Sequence, residues 1–284
     1  MYRQNKTPWI RLVALSLMVL FSTSGFDGCS QGEPEGEPQL IHARISGPRN
    51  NIYLQDPVEK DSALVLLASM DTRYIKQAFD ALDGLSYTEY KRIDQFDELG
   101  LLSAYLEYIT RITSPTSRLV IASDSAGSFD YGFFQKLRDR SHPARIQKNI
   151  NRYINPRRPI FLTNRGQDLF VFRILPDTLM WDHMAHAVEI LARPGVGDLQ
   201  GLKMIRFFID RATRTLIGMT VVQTDLTMFY REYSTYYLDI RPFRDRWVPH
   251  NARVETFVHV PFAHKHHYRT VFTFKDFEPP SPSI

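Results

Sequence analysis

Four histidines, His259, His264, His266 and His267, fall within the short segment HVPFAHKHHYR. Imidazole nitrogens ligate zinc or copper well, so a cluster of this kind invites a metal reading. A four-ligand set needs a further carboxylate or thiolate, and the next acid along the chain is Asp276. The spacing is that of a hairpin tip, and a solvated turn is expected. His183 and His186, with Asp182 and Glu189 beside them, would share a face on a helix. AHAVEI reads as part of a strand, and on a strand the two histidines fall on opposite faces. Ser125-Ala126-Gly127-Ser128 offers a serine without the Gly-x-Ser-x-Gly pattern or the strand–turn–helix setting of a hydrolase. Asp94, Asp97 and Glu98 form an acidic cluster expected in a solvated loop. Arg157-Arg158 and the trio Lys136, Arg138, Arg140 are suited to lipid head groups, although surface loops commonly carry such charges. No nucleophile is paired with a base, and no phosphate loop or paired-carboxylate site is present. The chain therefore reads as a non-enzyme, with no cofactor and no metal.

One residue does promise covalent chemistry. Cys29 is the only cysteine of the 284 residues. Before it stand a basic start (Arg3, Lys6, Arg11), the apolar run LVALSLMVLF from Leu12 to Phe21, and the small residues Ser22 to Gly25. A run this short falls below the roughly 20 residues that cross a bilayer, and the order basic–apolar–small is that of a secretory signal. Cys29 with Gly28 before it resembles the lipobox of bacterial lipoproteins, in which the cysteine receives a diacylglyceryl group and becomes the new N-terminus. Ordinary cleavage after Ser24, leaving a free thiol, is the alternative. The expected organisation is a signal peptide over 1–28, a lipidated tether over 29–39 and one domain over 40–284. The tether, SQGEPEGEPQ after the cysteine, is too polar to offset its ordering entropy. Ser30 rather than Asp after the cysteine points to the outer membrane by the enterobacterial sorting rule, on its periplasmic or its surface side.

Composition narrows the rest. Three of the 35 basic and one of the 31 acidic residues lie in the first 29, so the remainder carries a net charge near +2. That balance gives no reason to expect nucleic acid as a partner. Without cysteines beyond the anchor, burial alone must hold the fold.

From Glu59 to Leu85 apolar residues recur at helical spacing, with a break expected near Asp71. The period then shortens towards two. Strands are expected at 87–96, 103–113 and 117–125, again near residue 160 in RPIFLTNRGQDLFVFRIL, and at 186–193, 202–210, 215–224, 228–240, 251–260 and 267–277. Between them, residues 129–155 read as loop and a short helix around FFQKLRDR. Successive strands joined by short turns, with no helix between, make an antiparallel meander.

The stretch RFFIDRATRTLIGM (206–219) resembles the IDxxT hairpin of the LolA, LolB and RseB group, periplasmic proteins that handle lipoproteins or lipid. Asp210 and Thr213 occupy its turn positions. YYLDIRPFRDRWVPHNARVETF, with Trp247-Val248-Pro249, and YRTVFTFKDF are similar to the later strands. The resemblance spans about residues 65–277 and implies an α+β fold: a curved antiparallel sheet, or incomplete β-barrel, with a helix packed over its concave face. It further implies that an acyl chain, a lipid or a lipoprotein binds in an apolar groove, as in outer-membrane lipoprotein sorting. In β-period Val254, Val258, Phe272 and Phe274 share one face and are the candidate lining residues. The alternative is a non-catalytic docking lipoprotein for another envelope protein, its groove closed by its own side chains.

Overall fold

In a computed structural model, the ten strands β1 (Ser86–Phe96), β2 (Leu102–Ser114), β3 (Ser117–Ala126), β4 (Phe170–Met180), β5 (His183–Ala192), β6 (Leu202–Asp210), β7 (Leu216–Leu226), β8 (Arg231–Phe243), β9 (Arg246–His259) and β10 (His266–Glu278) form one sheet. The structure describes residues 53–114, 116–129, 142–154, 160–196, 201–226, 231–259 and 265–279. Cys29, the trio at 136–140, Arg157, Arg158 and His264 lie outside them. The spatial order is β3-β2-β1-β10-β9-β8-β7-β6-β5-β4, every pair antiparallel. β10 returns to pair with β1, while β3 and β4 remain as edges, so the sheet is open as well as curved. The other expected strands are present, but the one expected near residue 160 begins only at Phe170, because 160–162 form a 3-10 turn and 164–167 the short helix α4 (Asn164–Gln167).

The expected break near Asp71 has a physical cause. Helix α1 (Pro57–Ala68) starts on Asp56, whose carboxylate accepts from the Val58 amide at 2.8 Å, with Pro57 in the first turn. Past its end, the Asp71 amide donates to the Arg214 carbonyl and the Leu216 amide donates to the Asp71 carbonyl, both at 2.9 Å. That one-residue parallel bridge to the start of β7 stops the helix from continuing. The chain resumes as α2 (Arg73–Lys76) and a 3-10 turn over Asp80–Leu82.

The two sheet edges are treated differently. At β4 the Gln55 amide stands in for a neighbouring strand, donating to the Phe172 carbonyl at 3.0 Å and accepting from its amide at 2.7 Å. Glu59, from the first turn of α1, accepts from the Ile174 amide at 2.9 Å. At the other edge every β3 residue is exposed, and a bulge between β2 and β3 at Ile109/Thr110 interrupts the ladder, a device that blunts edge pairing. Among the described residues no helix is long and apolar enough to cross a membrane.

Candidate functional site: the covered face of the sheet

Alternation divides the sheet into two faces. We call inner the face that carries Val254 and Phe272. A single cross-strand row on it runs Phe172, Ile190, Ile205, Val221, Tyr236, Val254, Thr270, Ile93, from β4 to β1. All eight are buried. The four candidate lining residues do share this face: Val254 is 3%, Val258 4%, Phe272 1% and Phe274 1% exposed.

Two described segments lie against this face. The Phe79 ring, on the approach to the 3-10 turn, meets Phe274 edge-on at 5.8 Å, and the Lys91 ammonium lies 5.3 Å over the Phe272 ring. Helix α3 (Pro143–Ile154) rests on β8 and β9 through Ile146, Ile150, Tyr153 and Ile154, all buried at i, i+4 and i+7/i+8 spacing. Its Tyr153 hydroxyl donates to Gln223 of β7 at 3.2 Å. The segment between α1 and β1 thus supplies only part of the cover. α1 itself lies against β4 and β5, and α3, in the stretch 129–155 read from sequence as a loop and a short helix around FFQKLRDR, lies against β8 and β9; FFQKLRDR itself is outside the described residues. Clefts open on both sides of α3. One of about 370 Å³ lies between Arg145, Lys148 and Arg152 of the helix and Gln223, Asp225, Glu232 and Tyr236 of the sheet. A second, of about 530 Å³, separates the helix from Lys76, Phe79 and Asp80.

Of the four clustered histidines, His264 and the residues 260–263 lie outside the described residues, His259 ends β9 exposed, and His266 and His267 belong to β10. His267 lies within β10, donates or accepts at 2.8 Å with Glu255, and is stacked between Phe257 (3.8 Å) and Phe96 (4.3 Å). Burial pushes the Glu255 carboxyl up, yet the His267 bond and charge, with Arg253 and Arg269, hold it below its ordinary value. His183 and His186 are on opposite faces, as their strand period requires. His183 pairs with Asp210 at 2.6 Å and His186 with Asp177 at 2.9 Å. Asp94 departs from expectation: it is buried, not in a solvated loop, because Arg269 (2.8 and 3.0 Å) and Arg92 (2.8 Å) close over it. Asp97 does shape a turn, accepting from the Leu99 and Leu101 amides at 2.9 and 2.8 Å. Ser125 sits one residue before the end of β3, and residues 127–129, the described ones that follow directly, are not helical. Among the described residues no three His, Cys, Asp or Glu side chains gather as a metal set.

The IDxxT hairpin is built as its motif requires. Asp210 Oδ1 accepts from the Ala212 and Thr213 amides at 2.8 and 2.7 Å and from the Thr213 hydroxyl at 3.1 Å, while Arg214 takes a left-handed φ of 62°. Burial raises the Asp210 carboxyl, but these bonds and the one from His183 leave it below the usual carboxylate range.

No family model matches the sequence, and no curated protein matches it. Among solved structures, a DUF1329 family protein from Desulfovibrio piger aligns at 8% identity with a TM-score of 0.26, covering 80% of this chain and 95% of that one. A putative outer membrane lipoprotein-sorting protein domain from Vibrio parahaemolyticus aligns at 11% identity and TM-score 0.27, covering 79% and 95%. A LolA superfamily protein from Nitrosomonas europaea aligns at 9% identity and TM-score 0.23, covering 78% and 94%. Superpositions this loose carry no weight for function. The architecture is an open, curved antiparallel sheet with a tight hairpin turn at Asp210–Thr213.

Proposed function

We propose that the inner face is the concave face of a half-barrel and holds an acyl chain, a lipid or the lipid of a lipoprotein in the bacterial envelope. The observation that carries this is the continuous buried, largely apolar row from Phe172 to Ile93, covered among the described residues by short helical segments with clefts on both sides of α3. Val254, Val258, Phe272 and Phe274 are its floor, and the Phe79 ring is the group an acyl chain replaces. We further infer that residues 1–28 are a signal peptide, that Cys29 carries the lipid anchor at the outer membrane, that 29–39 form a tether, and that 40–284 form one domain.

Phe79→Ala tests the groove. If a ligand replaces the ring, the truncated protein binds a fluorescent acyl probe at least as well as the parent, although its ligand-free melting temperature falls. A second reading, a docking lipoprotein with a closed groove, is favoured by the burial of all four floor residues beneath the protein's own side chains. On that reading Phe79→Ala leaves an empty cavity, no probe binds and no lipid co-purifies with either protein. For the anchor, labelled palmitate enters the parent chain in a Gram-negative host and is lost in Cys29→Ala; equal labelling removes the lipoprotein reading.

A further inference from the structure

The 530 Å³ cleft between α2 and α3 carries an excess of positive charge. On its α3 wall Lys148 and Arg152 stand four residues apart, one turn above the other, and both are exposed. Lys76, the last residue of α2, lines the opposite wall, and Asp80 is the one acid of the lining. Among the described residues none of the three cations forms an ion pair, and Arg152 lies 5.8 Å over the Tyr153 ring. Asp71 is near enough for Lys76 to lower its carboxyl, but Arg73 already holds both its oxygens at 2.7–3.1 Å.

The two walls are fastened together by their own side chains. The Gln147 amide donates to the Ile75 carbonyl at 2.8 Å and to the Asn151 side chain at 2.7 Å, and the Asn151 amide donates to the Lys76 carbonyl at 3.4 Å. The stems of Lys76, Lys148 and Arg152 therefore start from fixed points on a frame that a ligand need not assemble. Phe79 lines the same cleft, and its ring meets Phe274 of the floor at 5.8 Å. One side chain thus separates a cationic mouth from an apolar floor. A bare hydrocarbon uses only the floor, and a small hydrophilic anion uses only the mouth. A molecule with an anionic end and a hydrocarbon tail uses both, in that order.

We propose that this cleft seats the phosphate of an anionic lipid. Its oxygens accept from the Lys148 ammonium, the Arg152 guanidinium and the Lys76 ammonium, and its hydrocarbon passes the position of Phe79 to reach Phe274. Three cations approaching from two helices suit a phosphate, whose several oxygens point in different directions, better than the two coplanar oxygens of a carboxylate. The course of the hydrocarbon rests on the acyl-binding reading above, whereas the phosphate seat rests on the cleft alone.

Calorimetric titration of the full chain carrying Cys29→Ala, which has no acyl group of its own, separates the two. The ligands are dodecyl phosphate, the neutral glycerol monoester of dodecanoic acid and inorganic phosphate, each below its micelle-forming concentration. Dodecyl phosphate is expected to bind about tenfold more tightly than the neutral lipid. Lys148→Glu with Arg152→Glu, both at exposed positions, should abolish that preference and leave the neutral lipid's affinity unchanged. Asp80→Asn, which removes the one acid of the lining, should tighten dodecyl phosphate about twofold. Arg244→Glu, at the exposed β8–β9 turn, should leave the preference intact, because it alters net charge without touching the cleft. Equal affinity for the two lipids overturns the phosphate seat, as does a preference that survives the double reversal or falls as far in Arg244→Glu. Binding of the neutral lipid still supports the acyl reading in those cases. Inorganic phosphate bound by the parent and lost in the double reversal, with neither lipid bound, upholds the seat and removes the acyl reading. No binding of any of the three overturns both.

Discussion

Val254 and Glu255 are neighbours in β9 and end in opposite surroundings. Val254 faces the inner row between Tyr236 and Thr270, with nothing to exchange but dispersion and dehydration. Glu255 faces the outer side, where it pairs with His267, and where Arg206 meets Glu189 at 2.6 Å and Asp94 lies between Arg92 and Arg269. One face is held by burial, which is non-directional and tolerates a change of occupant. The other is held by hydrogen-bonded pairs of fixed geometry, which tie neighbouring strands to one register. A face that is to accept a ligand and release it is served by the first kind of cohesion, and the second kind keeps the sheet intact while it does so.

The sharpest test of this contrast exchanges the characters of the two neighbours. Val254→Glu places a carboxylate in the apolar row with no cation among its cross-strand partners, and should cost about 4 kcal/mol of folding stability. Glu255→Val removes a half-buried acid from a face where other pairs remain, and should cost less than about 1 kcal/mol. Chemical denaturation of both variants reads the difference, and equal losses would show that the faces are not distinct in this way. Asp94→Ala comes next. It leaves Arg92 and Arg269 without their shared carboxylate, but both guanidiniums are partly exposed and can turn to water, so about 2 kcal/mol is expected. A loss as large as that of Val254→Glu would mean that ionic pairs, not burial, dominate the sheet.

Alternation made the inner face legible from sequence, since Val254, Val258, Phe272 and Phe274 follow from parity alone once the strands are found. What covers that face was not legible. In α3 the apolar residues of PARIQKNINRYI come only once per turn among Arg, Lys, Asn and Gln, so the segment is too polar to stand out as a core element. Its fourfold spacing from Ile146 to Ile150 to Ile154 was the available signal. The outer pairs were hidden for a different reason. Asp94 and Arg269 meet because β10 returns beside β1, a crossing of 175 residues that no local window contains. His267 likewise reads as a turn residue until Phe96 and Phe257 are known to flank it.

The outer face has one region where charge is excluded, and it yields the smallest expected effect. At the β8–β9 bulge, His250 is the extra residue beside Asp239, with Nδ1 to Oδ1 at 3.8 Å, too long for a hydrogen bond. Burial lifts the Asp239 carboxyl to about 6, against the opposing bonds from Tyr237 (2.7 Å) and the Asn251 amide (2.8 Å). Burial also lowers the His250 imidazole to about 3, helped by Arg241 and Lys275, so both groups are neutral over much of the acid range. Their linkages have opposite signs. Asp239, raised on folding from 3.8, favours the fold at low pH and loses that contribution as pH rises through about 6. His250, lowered on folding from 6.5, favours the fold at high pH and loses its contribution as pH falls from 6.5 towards 3. Between about pH 4.5 and 6 the unfolded chain gains one proton at the histidine where the folded chain gains one at the aspartate, and the two slopes cancel. Wild-type stability should therefore change by less than about 1 kcal/mol across that window. Asp239→Asn removes one side of the balance, and stability should then fall by about 1.4 kcal/mol for each pH unit of acidification, the slope of a single unmatched proton. Denaturation curves of the two proteins at half-unit intervals check this. Parallel pH profiles would show that Asp239 is ionised in the folded state and that the outer face is charged throughout.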